Sequence, residues 1–318
     1  MTDSLLSVRN LTVTFEVEGR TIRAVEDVSF EIRPGEIVGL VGESGSGKSV
    51  SAMSTIRLVP NPPGRVEKGE VIFDGKDLLT LPIEELRKIR GREISVIFQE
   101  PMTALSPLHS VGQQLAEVVR IHEPGTSKEA AMARSIEWLG KVGIPDPAER
   151  AKAYPFQFSG GMRQRVMIAM ALILHPRLII ADEPTTALDV TLQAQIFELI
   201  LAMKAEDTSI LFITHDMGVI WELADRVLVM KNGRLIEEGA VEPLFAAPKE
   251  AYTRELLSAV PRLTDAPRVS ALRPEGTSAI IEVRNLKTGF PVKRGVFART
   301  VDWVRAVDDV SIDVYPGE

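Results

Sequence analysis

Residues 42–49 read Gly-Glu-Ser-Gly-Ser-Gly-Lys-Ser, which matches the phosphate-binding pattern G-x-x-x-x-G-K-[ST]. The glycines allow successive backbone N–H groups to turn inward around phosphate oxygens, where larger side chains would collide. Lys48 would bring positive charge to the β- and γ-phosphates of a nucleotide, and the Ser49 hydroxyl would be a ligand of Mg²⁺. The residues expected to line the phosphates are Gly42, Glu43, Ser44, Gly45, Ser46, Gly47, Lys48, Ser49 and Val50.

The segments on either side of this loop decide between a nucleotide site and an ordinary Gly/Ser-rich surface turn. The apolar run Ile37–Val41 predicts a strand before the loop, and a helix is predicted over about residues 50–58 after it. In this order the positive end of the helix points at the nucleotide. We therefore interpret the loop as a phosphate site.

Two later apolar runs, 178–181 and 210–213, are followed by polar side chains: Asp182 and Glu183 after the first, and His215 after the second. Both runs are typical of buried parallel strands, whose carboxyl ends meet at one edge of a sheet, where ligands bind. Asp182 is a candidate for the Mg²⁺ shell, Glu183 for the base that orients an attacking water, and His215 for a contact to the γ-phosphate or that water. Alone, such acids would be solvated loop residues and such a histidine structural, but the phosphate loop upstream favours one shared site.

Two more features indicate which type of nucleotide-binding protein this is. Ser159-Gly160-Gly161 opens a predicted helix, and the free N–H groups there form a second anion site, although a plain helix cap explains these residues equally well on their own. Gln99 follows an apolar run at the junction with a mainly helical stretch, where an ordinary loop glutamine is the simpler interpretation.

The order of the motifs resembles that of the ATP-binding cassette (ABC) family over about residues 5–250. The motifs are the phosphate loop, Gln99, Ser159-Gly160-Gly161, Asp182-Glu183, Ala187-Leu188-Asp189 and His215. The resemblance implies an α/β fold, that of a P-loop NTPase (RecA-like) ABC nucleotide-binding domain with an antiparallel β subdomain and an inserted helical subdomain. It also implies that the ligands are ATP and Mg²⁺.

The same resemblance assigns roles to particular side chains. The implied catalytic residues are Glu183, His215, Gln99 and Lys48, and the implied magnesium ligands are Ser49, Gln99 and Asp182. Gln99 would also sense a membrane partner, and Ser159, Gly160 and Gly161 would form the signature that closes over the ATP of a partner domain. Asp189 would belong to the D-loop, and Phe15, which the sequence alone would place in a core strand, would stack on adenine.

A narrower resemblance, to the ATPases of dipeptide, oligopeptide and nickel importers, rests on residues 98–103, 107–108, 154–155, 159–165, 185–190 and 252–254. Within that group the chain is most similar to the fused two-domain ATPase of glutathione and peptide importers. Phe158 departs from the leucine that usually precedes the signature. Single-domain relatives often carry a cysteine cluster that binds iron and sulfur, and this chain has no cysteine, so that cofactor is not expected.

Segments near the start of the chain recur near its end in the same order and, apart from one insertion, at the same spacing. Val8-Arg9-Asn10-Leu11 and Asp27-Val28-Ser29, for example, recur as Val283-Arg284-Asn285-Leu286 and Asp309-Val310-Ser311. Shared strand propensity would not reproduce specific residues, so we expect a piece of a longer tandem protein. The expected parts are an ABC domain over 1–250 with a helical insert at about 100–165, an extension and linker over 251–280, and the truncated start of a second ABC domain over 281–318. We expect this last part to be disordered or loosely docked, because its strands lack the rest of their sheet.

Composition excludes several classes of protein. Lys and Arg total 37 against 44 Asp and Glu, a net charge of −7, which argues against broad wrapping of nucleic acid. Without cysteine there are no disulfides, thiolate metal sites or cysteine nucleophile. No apolar run approaches the roughly 18 residues that a membrane crossing needs, so a membrane role would be peripheral.

The resemblance implies an ATP-hydrolysing subunit of an importer, in which ATP-driven domain dimerisation drives uptake of peptides or a similar small solute (glutathione, dipeptide, oligopeptide or nickel). Implied partners are transmembrane permease subunits, a second ABC domain or a second copy arranged head to tail and, indirectly, a periplasmic or extracellular solute-binding protein. The implied location is the cytoplasmic face of the inner or plasma membrane.

The alternative is a soluble tandem ABC ATPase acting on ribosomes or nucleic acid. Such a protein would favour a long, charged helical linker. The linker here, residues 263–277, is short and contains proline. This favours the transport function, in which nucleic acid is not a partner.

Overall fold

The computed structural model describes residues 4–185, 190–259, 278–294 and 299–316. The chain divides into two compact units, Met1–Pro261 and Arg262–Glu318. The strands of the first unit are β1 (Leu6–Val17), β2 (Arg20–Ile32), β3 (Ile37–Val41), β4 (Gly64–Phe73), β5 (Lys76–Asp77), β6 (Ile94–Ile97), β7 (Leu178–Asp182), β8 (Ser209–Ile213), β9 (Arg226–Lys231) and β10 (Arg234–Ala240). Its α-helices are α1 (Lys48–Thr55), α2 (Ile83–Ile89), α3 (Pro101–Ala104), α4 (Val111–His122), α5 (Lys128–Lys141), α6 (Pro147–Arg150), α7 (Gly160–Leu172), α8 (Val190–Met203), α9 (Met217–Leu223), α10 (Val241–Ala246) and α11 (Ala251–Ser258), with a 3₁₀ turn at Pro155–Gln157.

A six-stranded sheet in the order β10-β9-β3-β8-β7-β6 forms the centre of the first unit. All neighbouring pairs are parallel except β10 with β9, which is antiparallel. Every residue of β7 and β8 is buried, which explains the continuous apolar runs 178–181 and 210–213: a parallel sheet is covered on both faces. The carboxyl ends of β3, β7 and β8 therefore share one edge, as the sequence predicts.

Two hydrophobic cores lie on opposite faces of this sheet, and alternate residues of each strand feed them. On β7, Ile179 and Ala181 join the core under the helical segment, whereas Leu178 and Ile180 join the core under a second sheet. That second sheet is antiparallel, in the order β2-β1-β4-β5, and packs with α1 in the second core. The predicted antiparallel β subdomain is confirmed.

A helical segment from α3 to α7 is inserted between the parallel neighbours β6 and β7. Its largest buried side chain is Trp138, which is 1% exposed in α5. α4 begins with a reciprocal cap, in which the Ser110 hydroxyl accepts from the Gln113 N–H and the Gln113 amide oxygen accepts from the Ser110 N–H. Within the described residues no helix combines the length and apolarity needed to cross a membrane.

The second unit contains an antiparallel pair, β11 (Ile281–Arg294) and β12 (Arg299–Val314). Its hydrogen bonds repeat those of the β1–β2 pair: the Asn285 N–H donates to Ser311 Oγ as Asn10 does to Ser29, and the Asn285 amide donates to Asp309 as Asn10 does to Asp27. These strands form a regular hairpin, because the inward-facing backbone groups of two adjacent antiparallel strands pair with each other. The expectation of disorder is therefore wrong for them, and the alternative of loose docking stays a prediction. Most of the expected linker, 260–277, lies outside the described residues.

Candidate functional site

The phosphate loop between β3 and α1 adopts a backbone that requires glycine at two positions. Gly42 has φ of +147°, and a Cβ there would lie 2.2 Å from the Met230 carbonyl oxygen. Gly47 has φ of +99°, and its Cβ would lie 2.5 Å from the Ala24 carbonyl oxygen. Larger residues at either position would push the loop away from the sheet, so both glycines shape the site.

Helix α1 starts at Lys48, two residues before the predicted start, and the prediction is wrong at both ends. Gly47 is its N-cap, so the first N–H groups of the helix lie next to the loop, free of helical partners, as a phosphate site requires. The helix ends at Thr55 rather than near residue 58, because Arg57 has φ of +55°, which no α-helix accommodates.

Lys48 is 5% exposed, and its ammonium group donates to the carbonyl oxygens of Gly42 at 2.7 Å and Glu43 at 2.9 Å. Burial lowers its pKa, while the nearby charges of Glu183 and Asp182 act to raise it. The lysine is therefore held inside the loop, bound to the loop's own backbone and close to the two acids at the end of β7.

Ser49 and Asp182 come together although they belong to different elements. The Ser49 hydroxyl donates to Asp182 Oδ1 at 2.8 Å across the gap between α1 and the end of β7. Asp182 is 7% exposed, and its burial raises the pKa of the carboxyl; the hydrogen bond from Ser49 acts to lower it, and the charge of Glu183 raises it further. The pair offers two hard oxygen ligands at one point of the sheet edge.

Glu183 is held by side chains from two other strand ends. The Gln99 amide, after β6, donates to Glu183 Oε2 at 3.1 Å, and His215 Nδ1, after β8, lies 3.5 Å from Glu183 Oε1. Glu183 itself has φ of +44°, an uncommon conformation for a non-glycine residue, and its N–H donates to the Ile213 carbonyl of β8. Its side chain is 16% exposed, against 67% for His215, so the carboxylate lies below a solvent-facing imidazole.

The Ser159-Gly160-Gly161 segment lies in the helical segment, at the start of α7. The Ser159 hydroxyl accepts from the Met162 N–H at 3.3 Å, the cap that the sequence allowed as the simpler explanation. Ser159 and Gly160 are exposed, whereas Gly161 is buried against Leu192. No contact described for these three residues places them at Lys48 or Glu183, so their role toward ATP stays a prediction.

Two further predicted residues have different outcomes. Phe15 is half-buried on β1, where its ring lies over Gly64 and packs against the second core, so adenine stacking stays a prediction. Asp189 lies outside the described residues.

Two contacts to the site were missed from the sequence. The buried Gln164 amide on α7 donates to the carbonyl of Pro184, next to Glu183, and the Tyr252 hydroxyl on α11 accepts from the Glu43 N–H at 3.0 Å. Gln164 belongs to a segment that the sequence did single out, but its orientation depends on how α7 packs. Tyr252 is 209 residues from Glu43 and follows no spacing rule; its segment entered only as part of the narrower resemblance.

Comparison with known proteins agrees with this geometry. The family model described as "ABC transporter" matches residues 25–186. The chain is 50% identical over 318 residues to the peptidoglycan transport ATP-binding protein YejF of Agrobacterium fabrum, covering 100% of this chain and 57% of that protein. It is 44% identical over 342 residues to the glutathione import ATP-binding protein GsiA of Salmonella typhimurium, covering 99% and 55%. It is 51% identical over 260 residues to the oligopeptide transport ATP-binding protein OppD of Bacillus subtilis, covering 81% and 72%. The chain thus spans little more than half the length of YejF and GsiA.

Among solved structures, a dimeric post-hydrolysis state of the ATP-binding cassette MJ0796 bound to ADP and phosphate matches with a TM-score of 0.67 at 30% identity, covering 74% of this chain and 99% of that one. The resemblance drawn from the motifs and the fold it implied are confirmed. By its family model, its relatives and its fold, the chain belongs to the ABC transporter family of ATP-binding proteins.

Proposed function

We propose that the chain binds ATP with Mg²⁺ at the edge of the six-stranded sheet and hydrolyses it. One observation carries the proposal: side chains from four separate segments lie together around Glu183, Asp182 and Lys48. The segments are the phosphate loop and the ends of β6, β7 and β8. In this proposal the loop N–H groups and Lys48 bind the phosphates, and the buried setting strengthens each charge interaction.

The donor set at Ser49 and Asp182 suits Mg²⁺. The buried Asp182 carboxylate and the half-buried Glu183 carboxylate face one ammonium, so an added cation would offset the cost that the raised pKa of Asp182 reflects. Within the described residues there is no cluster of three or more acidic, histidine or cysteine ligands, which agrees with a metal that keeps waters and completes its shell with substrate phosphates. Gln99 would be the third protein ligand, and the metal would supply charge neutralisation at the phosphates.

In this proposal Glu183 acts as the general base toward the attacking water. Because Gln99 and His215 approach different oxygens of the carboxylate, its orientation is set from two sides. His215, largely exposed at the mouth of the site, would contact the γ-phosphate or the water.

A second domain would complete the site. Ser159 and Gly160 are exposed at a helix start, where they can bind the ATP of a partner domain, either a second ABC domain or a second copy arranged head to tail. The repeated hairpin of the second unit supports a tandem arrangement, and MJ0796, a relative in fold, is a dimer in its post-hydrolysis state.

We further propose that the ATPase energises import through permease subunits at the cytoplasmic face of the membrane. A groove of about 270 Å³ between the central sheet and the helical segment is lined by Phe98 and Ile121, which are 41% and 65% exposed, and Phe98 directly precedes Gln99. A permease segment docked there would reach the site through Gln99. The relatives are named for transport of peptidoglycan, glutathione and oligopeptides. Their names favour a peptide-containing solute, delivered by a solute-binding protein. They disfavour the alternative of action on ribosomes or nucleic acid.

Calorimetry with MgATP tests the proposal. Lys48→Ala removes the buried ammonium and should abolish nucleotide binding. Lys152→Ala removes a lysine whose side chain is 77% exposed and should leave binding unchanged. Absence of MgATP binding by the unaltered chain, or full binding by Lys48→Ala, would contradict the proposed site.

A further inference from the structure

A buried tyrosine late in the chain contacts the phosphate loop. Tyr252 is 5% exposed, and its hydroxyl accepts a hydrogen bond from the Glu43 N–H at 3.0 Å. The Lys231 ammonium lies 4.2 Å from the centroid of the same ring, within the range of a cation–π contact. Tyr252 and Lys231 both lie beyond residues 25–186, the range matched by the family model.

The contact bears on Lys48 through a single peptide group. The peptide between Gly42 and Glu43 is trans, so its carbonyl and N–H point in opposite directions. The carbonyl, that of Gly42, accepts from the Lys48 ammonium at 2.7 Å, while the N–H, that of Glu43, donates to Tyr252. Lysine and tyrosine therefore hold one peptide plane from its two sides, and turning that plane would disturb both bonds.

The tyrosine is itself anchored independently of the loop. The Glu237 carboxylate on β10 accepts from the N–H groups of Lys249 at 2.8 Å and Glu250 at 3.1 Å, just before α11 begins. Burial acts to raise the pKa of Glu237, but hydrogen bonding from the Thr253 side chain and from these two N–H groups lowers it overall. The hydroxyl is thus presented to the loop from a fixed helix.

We propose that Tyr252 is a positioning residue of the nucleotide site, which orients the Gly42–Glu43 peptide and through it the Lys48 ammonium. The inference rests on the proposed binding of MgATP. Without the hydroxyl, the Glu43 N–H loses its acceptor and the peptide is free to turn, so Lys48 is less well placed for the phosphates before the nucleotide arrives. The effect falls on nucleotide affinity rather than on the chemical step, because Glu183, Gln99 and His215 are untouched.

The test uses the full chain with Tyr252→Phe, which keeps the ring and its contact with Lys231. One hydrogen bond of ordinary strength corresponds to a rise of about two- to tenfold in the KM and Kd for MgATP, with kcat within twofold. Hydrogen exchange of the peptide containing Glu43 should also become faster in the absence of nucleotide, with the rest of the first unit unchanged. Tyr154→Phe, at a side chain that is 41% exposed in the first unit, is the control and should change none of these values.

Unchanged KM and unchanged exchange at Glu43 would overturn the inference, as would a lower melting temperature with KM unaltered, which indicates a purely structural tyrosine. If Tyr252→Phe does not fold, Glu237→Gln is the second variant, because it weakens the anchor of α11 without altering the loop. It should also raise the KM for MgATP. An unchanged KM in Glu237→Gln would overturn the inference as well. Failure of the unaltered chain to bind MgATP would refute the proposed function itself, and the positioning role with it. A chain that binds MgATP equally well with and without the hydroxyl would refute the positioning role alone.

Discussion

Replacing Glu183 by glutamine separates nucleotide binding from hydrolysis. The amide is nearly the same size as the carboxylate, so the contacts of Oε2 with the Gln99 amide at 3.1 Å and of Oε1 with His215 at 3.5 Å are kept or exchanged without a change in packing. The substitution removes the proton acceptor, and it also removes one negative charge beside Lys48 and Asp182. Binding of the ATP anion should therefore be equal or tighter.

A positioned general base contributes about 10²–10⁴-fold to a rate, so kcat should fall by that factor, or by about 2.7–5.4 kcal/mol of barrier at 1.36 kcal/mol per tenfold. The assay is phosphate release at saturating MgATP, together with calorimetry of MgATP binding and a melting curve to exclude a folding defect. Glu149→Gln, at a side chain that is 79% exposed, is the matched control and should behave as the unaltered chain. Turnover within twofold of normal in a folded, MgATP-binding Glu183→Gln protein would refute the assignment of the base.

Two further predictions concern the second half-site and the buried aspartate. If a partner domain must complete the site, ATPase activity per molecule should be low in dilute solution and rise with protein concentration; a specific activity that is constant down to dilute monomer would contradict this. The pKa of Asp182 is raised in the folded state by burial, so its contribution to stability is present at low pH and is lost as pH rises from the unfolded pKa through the folded one. Asp182→Asn should therefore raise the melting temperature of the nucleotide-free protein at pH 7, with a smaller effect in acid. It should also remove the dependence of ATP binding on Mg²⁺. Equal melting temperatures of the two proteins at pH 7 would contradict the proposed cost of the buried charge.

The polar edge of the sheet could be predicted because its information is local. Each of β3, β7 and β8 contains an apolar run that polar residues follow within two positions, and parallel strands bring such ends together. The phosphate loop is local as well, since its glycines, lysine and serine all lie within residues 42–49. The placement of Ser49 beside Asp182 agrees with this reasoning.

The individual contacts between distant side chains depended on packing, even where a motif had singled out the residues. Gln99 is 84 residues from Glu183, Tyr252 is 209 residues from Glu43, and each pair meets only because particular elements pack at particular angles. The start of α1 likewise depended on the left-handed backbone of Gly47, which the pattern permits but does not require. Sequence alone thus determined which groups collect at the edge of the sheet. The tertiary structure decided how each is oriented, because hydrogen-bond directions are set by the packing of whole elements and not by the order of residues.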